Sequence, residues 1–167
     1  MVSWDDAQVF LTRLNEQQAG NLPTGWSYVL PTESQWEYAC RAGTNTAYSW
    51  GASIASSNAN YNFDVGQNSG NDFSQTRDVG MYAPNPWGFF DMHGNVWEWT
   101  ADRYQAAYPI GNPVIDPTGP ASGSRRVLRG GSWYYVGSLL RSAKRYYYTP
   151  GHRDYSIGFR VGFQKSQ

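Results

Sequence analysis

Apolar residues recur at helical spacing near the start of the chain, where Ala7, Phe10, Leu11 and Leu14 form one stripe over residues 3–18. Ser3 stands at a capping position, Asp5 and Asp6 suit the positive end of a helix, and Gly20 and Pro23 stop it. Tyr28-Val29-Leu30 reads as a small strand running into Pro31. Thr32-Glu33-Ser34-Gln35 then matches a capping box, and Trp36, Ala39 and Cys40 share one face of a second helix that Gly43 ends. From Thr44 to Asn85 periodicity gives way to Asn, Ser, Gly and Asp, which predicts one long loop. Loops of that length are usually functional or tied down, and Asn60, Asp64, Asn71 and Asp72 offer oxygen donors there. In Val96-Trp97-Glu98-Trp99 the two tryptophans fall on one face and Glu98 on the other, so the carboxylate has to be ion-paired or bound to a cation. Residues 103–124 are a Pro- and Gly-rich connection, and the last short strands fall within Arg129 to Arg160.

That last segment organises the chain. A frame of Arg129-Gly130-Gly131-Ser132-Trp133, Arg141-Ser142-Ala143 with Arg145, and Ile157-Gly158-Phe159-Arg160 encloses gaps that hold six of the 13 tyrosines. Side chains alternate between faces in extended runs, so Tyr146, Tyr147 and Tyr148 cannot all enter one core. Tyrosine offers a large, stiff, amphipathic contact area, and the neighbouring Ser and Gly add adaptable hydrogen bonding, a mix suited to recognition. The alternative is an aromatic-rich interior, since Phe, Trp and Tyr make up 17% of the chain.

A length of 167 residues suits one domain. The 13 basic and 13 acidic residues cancel, which leaves no overall field of the kind nucleic-acid or membrane binders carry. Locally the balance differs: Arg125, Arg126, Arg129, Arg141, Lys144, Arg145, Arg153 and Arg160 face Asp154 alone. Ion pairs are therefore expected with the earlier acids Asp5, Asp6, Glu33, Glu37, Asp91, Glu98 and Asp102. The single cysteine, Cys40, forms no intrachain disulfide and reads as a buried structural thiol. The opening MVSWDDAQVF is neither a secretory signal nor a membrane span, so export would need another route or a leader outside this sequence.

Six ordered stretches, VSWDDAQVF, LPTESQWEYACRAG, NPWGFFDMHGNVWEWTAD, RVLRGGSW, LRSAKR and IGFRV, resemble the formylglycine-generating-enzyme (sulfatase-modifying-factor) domain, a variant of the C-type lectin fold. The resemblance implies an α+β domain over residues 1–167 with two short helices, small antiparallel sheets and much irregular loop. Oxidase members hold copper with two cysteines in the C-terminal region, where this chain has none and Tyr135 stands at roughly the first position. Phenols do not replace soft thiolates for Cu(I), so that oxidase activity is not expected. His93 and His152 are the only histidines, which leaves little for a His-based metal centre or a Ser-His-Asp triad. The family's structural calcium maps onto Asp91, Gly94, Val96 and Glu98, with a second, weaker set at Asn60, Tyr61, Asn71 and Phe73.

The C-terminal segment further resembles a branch of variable proteins diversified by retroelements, in which adenine-directed mutagenesis rewrites chosen codons. Randomising the adenines of an Asn codon cannot give Lys, Glu, Gln, Met or Trp. Tyr134, Tyr135, Val136, Ser138, Tyr146, Tyr147, Tyr148, Thr149, His152, Asp154, Tyr155 and Ser156 all satisfy that test, and Lys144 does not. These twelve are the candidate ligand contacts on a variable segment of about 130–160. The implied protein displays this surface non-catalytically to a macromolecular partner, a protein on a cell surface, and sits on a cell surface or virus particle. A calcium-dependent carbohydrate-binding module and a family enzyme of other chemistry are the alternatives.

Overall fold

Two capping boxes start the two helices. In the computed structural model, which describes residues 1–62, 74–108 and 115–165, Ser3 Oγ accepts the Asp6 amide at 3.1 Å and Asp6 Oδ2 accepts the Ser3 amide at 2.9 Å, opening α1 (Trp4–Gln18). Thr32 and Gln35 make the same exchange ahead of α2 (Glu33–Arg41), which ends at Ala42 in a left-handed conformation followed by Gly43. Satisfying two otherwise orphaned amides at each start is worth about 1 kcal/mol per cap. The α1 stripe holds at Ala7 and Leu11, which are buried, and at half-buried Leu14. Phe10 departs from it: its ring is 47% exposed and meets the edge of Phe159 at 5.4 Å, covering a strand end rather than entering the core.

The expected strand at 28–30 begins two residues earlier and ends one earlier, as β1 (Trp26–Val29), because its pairing with β6 (Gly162–Lys165) stops at Val29 opposite Gly162; Leu30 is buried beyond the ladder. The main sheet contains β2 (Trp97–Arg103), β3 (Arg126–Arg129), β4 (Arg145–Tyr148) and β5 (Ile157–Phe159) in the order β4-β3-β2-β5. Its pairs are antiparallel except β2 with β5, which is parallel. Trp97 and Trp99 face one core with Ala7, Leu11, Leu30, Leu128 and Ile157. Trp36, Cys40 and Met92 form a separate small cluster. Residues 44–62 and 74–85 contain no helix or strand beyond an isolated Tyr48–Gly51 bridge, so the described part of the long loop is a loop.

Four of the seven acids expected to pair do so, and Asp5, Asp91 and Asp102 form no ion pair among the described residues. Arg129 meets Glu33 and Glu37, Arg145 meets Glu33, Arg153 meets Asp6, and Arg160 meets Glu98. The Arg153 guanidinium, with the Ser3 amide and hydroxyl, holds the Asp6 carboxyl well below the usual range. Arg125 and Arg126 instead lie over the rings of Tyr147 and Trp4, at 4.5 and 3.8 Å.

Two buried titratable groups oppose each other. His93 donates Nδ1–H to Leu140 O (2.7 Å) and accepts the Ser49 amide at Nε2 (3.2 Å), and burial lowers its pKa to about 4. Asp102 accepts the Glu33 amide at 2.6 Å, and burial raises its pKa to about 6. A depressed histidine costs stability as pH falls from about 6.5 to about 4; a raised carboxyl costs stability as pH rises from about 4 to about 6. Asp102→Asn keeps an oxygen for the Glu33 amide and removes the second titration. It is expected to uncover the histidine limb, a loss on the order of 3 kcal/mol between pH 6.5 and pH 4 in urea denaturation. Adding His93→Gln is expected to abolish that limb, and a flat profile in Asp102→Asn alone would contradict the assignment.

Candidate functional site

The Tyr-rich segment follows a path that other residues fix. After β3, Gly130 (φ 95°) and Gly131 (φ 75°) turn the chain, and a side chain at Gly131 would come within 2.6 Å of Leu140. Gly130 O accepts the Gly94 amide at 2.8 Å, and the Trp133 amide donates to Asn95 O at 3.0 Å. The Asn62 amide donates to Tyr135 O at 3.0 Å, and its side chain donates to Tyr134 O at 3.3 Å. Farther on, the Trp4 amide donates to Pro150 O, the Trp97 amide to Ser156 O, and Asp154 Oδ1 accepts the amide and hydroxyl of Ser156 at 2.8 and 2.6 Å. Asn62 and Asn95 escape sequence reading because their roles run through backbone atoms of a turn far along the chain.

On this backbone the rings form one continuous series. Tyr155 meets Tyr134 at 5.8 Å, Tyr134 meets Tyr135 at 5.5 Å, and Tyr135 meets buried Trp97 at 5.8 Å. Trp97 stacks on Tyr146 at 5.5 Å, Tyr146 meets Tyr148 at 5.3 Å, and Tyr148 stacks on His152 at 3.8 Å. Tyr134 and Tyr155 are 49% and 53% exposed, and Ser138 and Thr149 are exposed. Tyr135, Val136, Tyr146, Tyr147, Tyr148, His152 and Asp154 are half-buried, and Tyr135, Tyr146 and Tyr148 rest on the main core. Burial raises the phenol pKa of Tyr135, and that of Tyr148 to about 12, so both stay neutral near neutral pH. Contact surface and aromatic interior are thus two sides of the same rings.

Two candidate contacts depart from the expectation. Ser156 is 4% exposed and spends its amide and hydroxyl on Asp154, so it shapes the turn instead of facing a ligand. Tyr147 turns to Tyr104, 4.1 Å away, beneath Arg125.

The calcium sets behave differently from one another. Glu98 Oε2 accepts Trp36 Nε1–H at 2.7 Å and Arg160 Nε–H at 3.0 Å, and Oε1 accepts Arg160 Nη2–H at 2.8 Å. Asp91 Oδ2 accepts the Gly80 amide at 2.6 Å, and the Gly94 amide is held by Gly130. Burial opposes charge on Arg160, and Glu98 more than offsets it, so the guanidinium pKa is raised. Asp91, Gly94, Val96 and Glu98 therefore do not fit a calcium ion here, because a guanidinium already takes the cation's place on the carboxylate. In the second set Asn60 is 1% exposed; its Nδ2 donates to Gln75 O and Asn95 Oδ1, while Oδ1 has no donor among the described residues. A buried amide oxygen of that kind fits a hard cation. Tyr61 beside it is buried, and Asn71 and Phe73 lie outside the described residues. Cys40, the only thiol in the sequence, is buried 3.5 Å from His93 Nε2, with its pKa pushed up to about 12 by burial.

The sequence matches the family described as the sulfatase-modifying factor enzyme 1-like domain over residues 1–164. The chain belongs to this family. It is 32% identical to the formylglycine-generating enzyme of Mus musculus over 95% of this chain and 42% of that protein. It is equally identical, at 32%, to the inactive C-alpha-formylglycine-generating enzyme 2 of Bos taurus over 95% of this chain and 48% of that protein. The chain thus spans about half the length of the curated relatives it matches. Among solved structures, Treponema denticola variable protein 1 superposes with a TM-score of 0.83 at 27% identity, covering 98% of this chain and 69% of the other. The fold is the C-type lectin variant of this family and resembles that of retroelement variable proteins. No helix among the described residues is long and apolar enough to cross a membrane.

Proposed function

We propose that this family member is a non-catalytic ligand-binding display protein whose C-terminal aromatic surface is diversified by a retroelement and contacts a protein on a cell surface. The observation that carries the reading is the division of labour within residues 130–156. Backbone groups there are pinned by Asn62, Asn95 and Trp97, while Tyr134 and Tyr155 remain about half exposed. Substitution at such surface positions changes stability by about 0.5 kcal/mol or less, so side chains can change without refolding the frame. Half-buried rings beside them supply rigid anchors for a partner. The likeness to variable protein 1 supports the same reading.

Calcium enters as a structural ion at Asn60, where Oδ1 would supply one oxygen ligand and the ion would cross-link the long loop. The rival reading, a family enzyme, has one observation in its favour: a hollow of about 860 Å³ lined by Glu33, Asp102, Tyr108 and Arg145. Three of the carboxylates that line it are committed, Glu33 to Arg145, Glu37 to Arg129 and Asp102 to the Glu33 amide.

The flanking DNA tests diversification. A near-copy of the codons for residues 130–160, differing at adenines and lying beside a reverse-transcriptase gene, is expected; a copy differing equally at all four bases would sink the claim.

A further inference from the structure

The small sheet of β1 and β6 has two edges, and the chain closes only one of them. On the outer side of β1, Asn15 of α1 takes the place of a neighbouring strand: its Oδ1 accepts the Tyr28 amide at 2.7 Å, and its Nδ2 donates to Tyr28 O at 2.8 Å. The Trp26 amide turns the same way, to Pro23 O at 3.0 Å. In an antiparallel ladder, two directly opposed residues either exchange both backbone bonds or aim both sets of groups away from each other. Tyr28 lies opposite Phe163 and Trp26 opposite Lys165, so the backbone groups of Phe163 and Lys165 point away from β1. Neither residue makes another backbone hydrogen bond among the described residues. The side chains on this strand follow suit. Phe163 is 45% exposed and stacks on exposed Trp26 at 4.9 Å, with Tyr28 at 5.1 Å, and Val161 is exposed two positions earlier. On the opposite face Gln164 accepts from Gln35 of α2.

An unpaired edge beside exposed rings is a template for a further strand, and a sheet of two strands is marginal alone. We propose that the β6 edge pairs with the β6 edge of a second copy of this chain, antiparallel about a two-fold axis at Phe163. Self-complementarity selects this occupant. With Phe163 opposite Phe163, the amide of each meets the carbonyl of the other, and Lys165 falls opposite Val161, so the two ammonium groups stay apart. The 13 basic and 13 acidic residues leave no net charge to oppose self-association. Asn15 then sets the number of copies: because it closes β1, a sheet running β1-β6-β6-β1 has both ends capped, and assembly stops at a dimer instead of a fibre. The pairing is independent of the display reading. Together with it, two linked contact surfaces would grip a multivalent target more tightly than one.

Sedimentation of the full chain over a range of concentrations, with amide hydrogen exchange read residue by residue, tests the pairing. A reversible monomer–dimer equilibrium is expected, and exchange at Phe163 and Lys165 should slow as the dimer forms, while Gln164, already bonded within the β1–β6 ladder, stays constant. Phe163→Lys sets two ammonium groups against each other on the axis and removes the ring pair, and is expected to weaken dimerisation about tenfold at an unchanged thermal melt. The exchange measurement on the unaltered chain decides the matter whether or not that variant folds. A monomer at every concentration, a dimer that leaves the Phe163 and Lys165 amides unchanged, or growth beyond two copies would overturn the proposal.

Discussion

Arg129→Leu is expected to lower the free energy of unfolding by about 3–5 kcal/mol, read as a lower urea midpoint at unchanged m-value. Arg129 is fully buried; its guanidinium pairs with Glu37, lies 3.5 Å from Glu33, and donates to Lys144 O (2.6 Å) and Ser142 O (2.9 Å). Its plane also lies 5.3 Å from the Trp36 ring. Leucine would leave two carbonyls and part of two carboxylates unpaired in the interior, although Arg145 still reaches Glu33 and Arg41 still reaches Glu37. Arg129→Lys is expected to fall between the two, since an ammonium keeps the charge without the fork that reaches both acids and both carbonyls. The effect extends to function because the lost bonds are those that hold residues 142–144, at the root of β4 and its tyrosines. An unchanged midpoint in Arg129→Leu would remove Arg129 from its place as the central tie of the frame.

What could be read from sequence followed the range of each interaction. The capping box at Thr32–Gln35 is legible because its partners lie three residues apart, whereas at the first helix the sequence marks Ser3 as a cap and the structure adds the return bond from Asp6. The excess of arginine after residue 123 was legible as ion pairing, but the particular pairs depend on topology. Glu98 shows this clearly: sequence leaves it either paired or cation-bound, and the parallel register that sets Glu98 opposite Gly158 brings Arg160, two residues on, to its carboxylate. That same register removes Glu98 from the calcium set. Phe10 lies outside the core because helical periodicity marks the stripe and not its edge, where a ring can cover a strand end and remain wet. Ser156 differs because residue type permits variation at a position whose side chain closes a turn. Asp154 stands out in the sequence as the sole acid among late arginines, and the turn of Arg153 toward Asp6 leaves it without an ion pair among the described residues.

The division between a tolerant face and an intolerant frame carries the second large expectation. Tyr134, Ser138, Thr149 and Tyr155 are exposed, and each is expected to accept most side chains within about 0.5 kcal/mol. Trp97, 1% exposed beneath Tyr135 and Tyr146, is expected to cost about 3–5 kcal/mol when cut to alanine, through the cavity left between the sheet and the rings it supports. Binding should show the reverse sensitivity, changing partner with the exposed set while the fold persists. A library randomised at Tyr134, Ser138, Thr149 and Tyr155, sorted for protease resistance beside one randomised at Trp97, Trp99, Leu128 and Arg129, measures this directly. Most members of the first library should remain as resistant as the parent, and few of the second should survive. Comparable losses in both would mean that the tyrosine-bearing turns are structural material and not an open contact face.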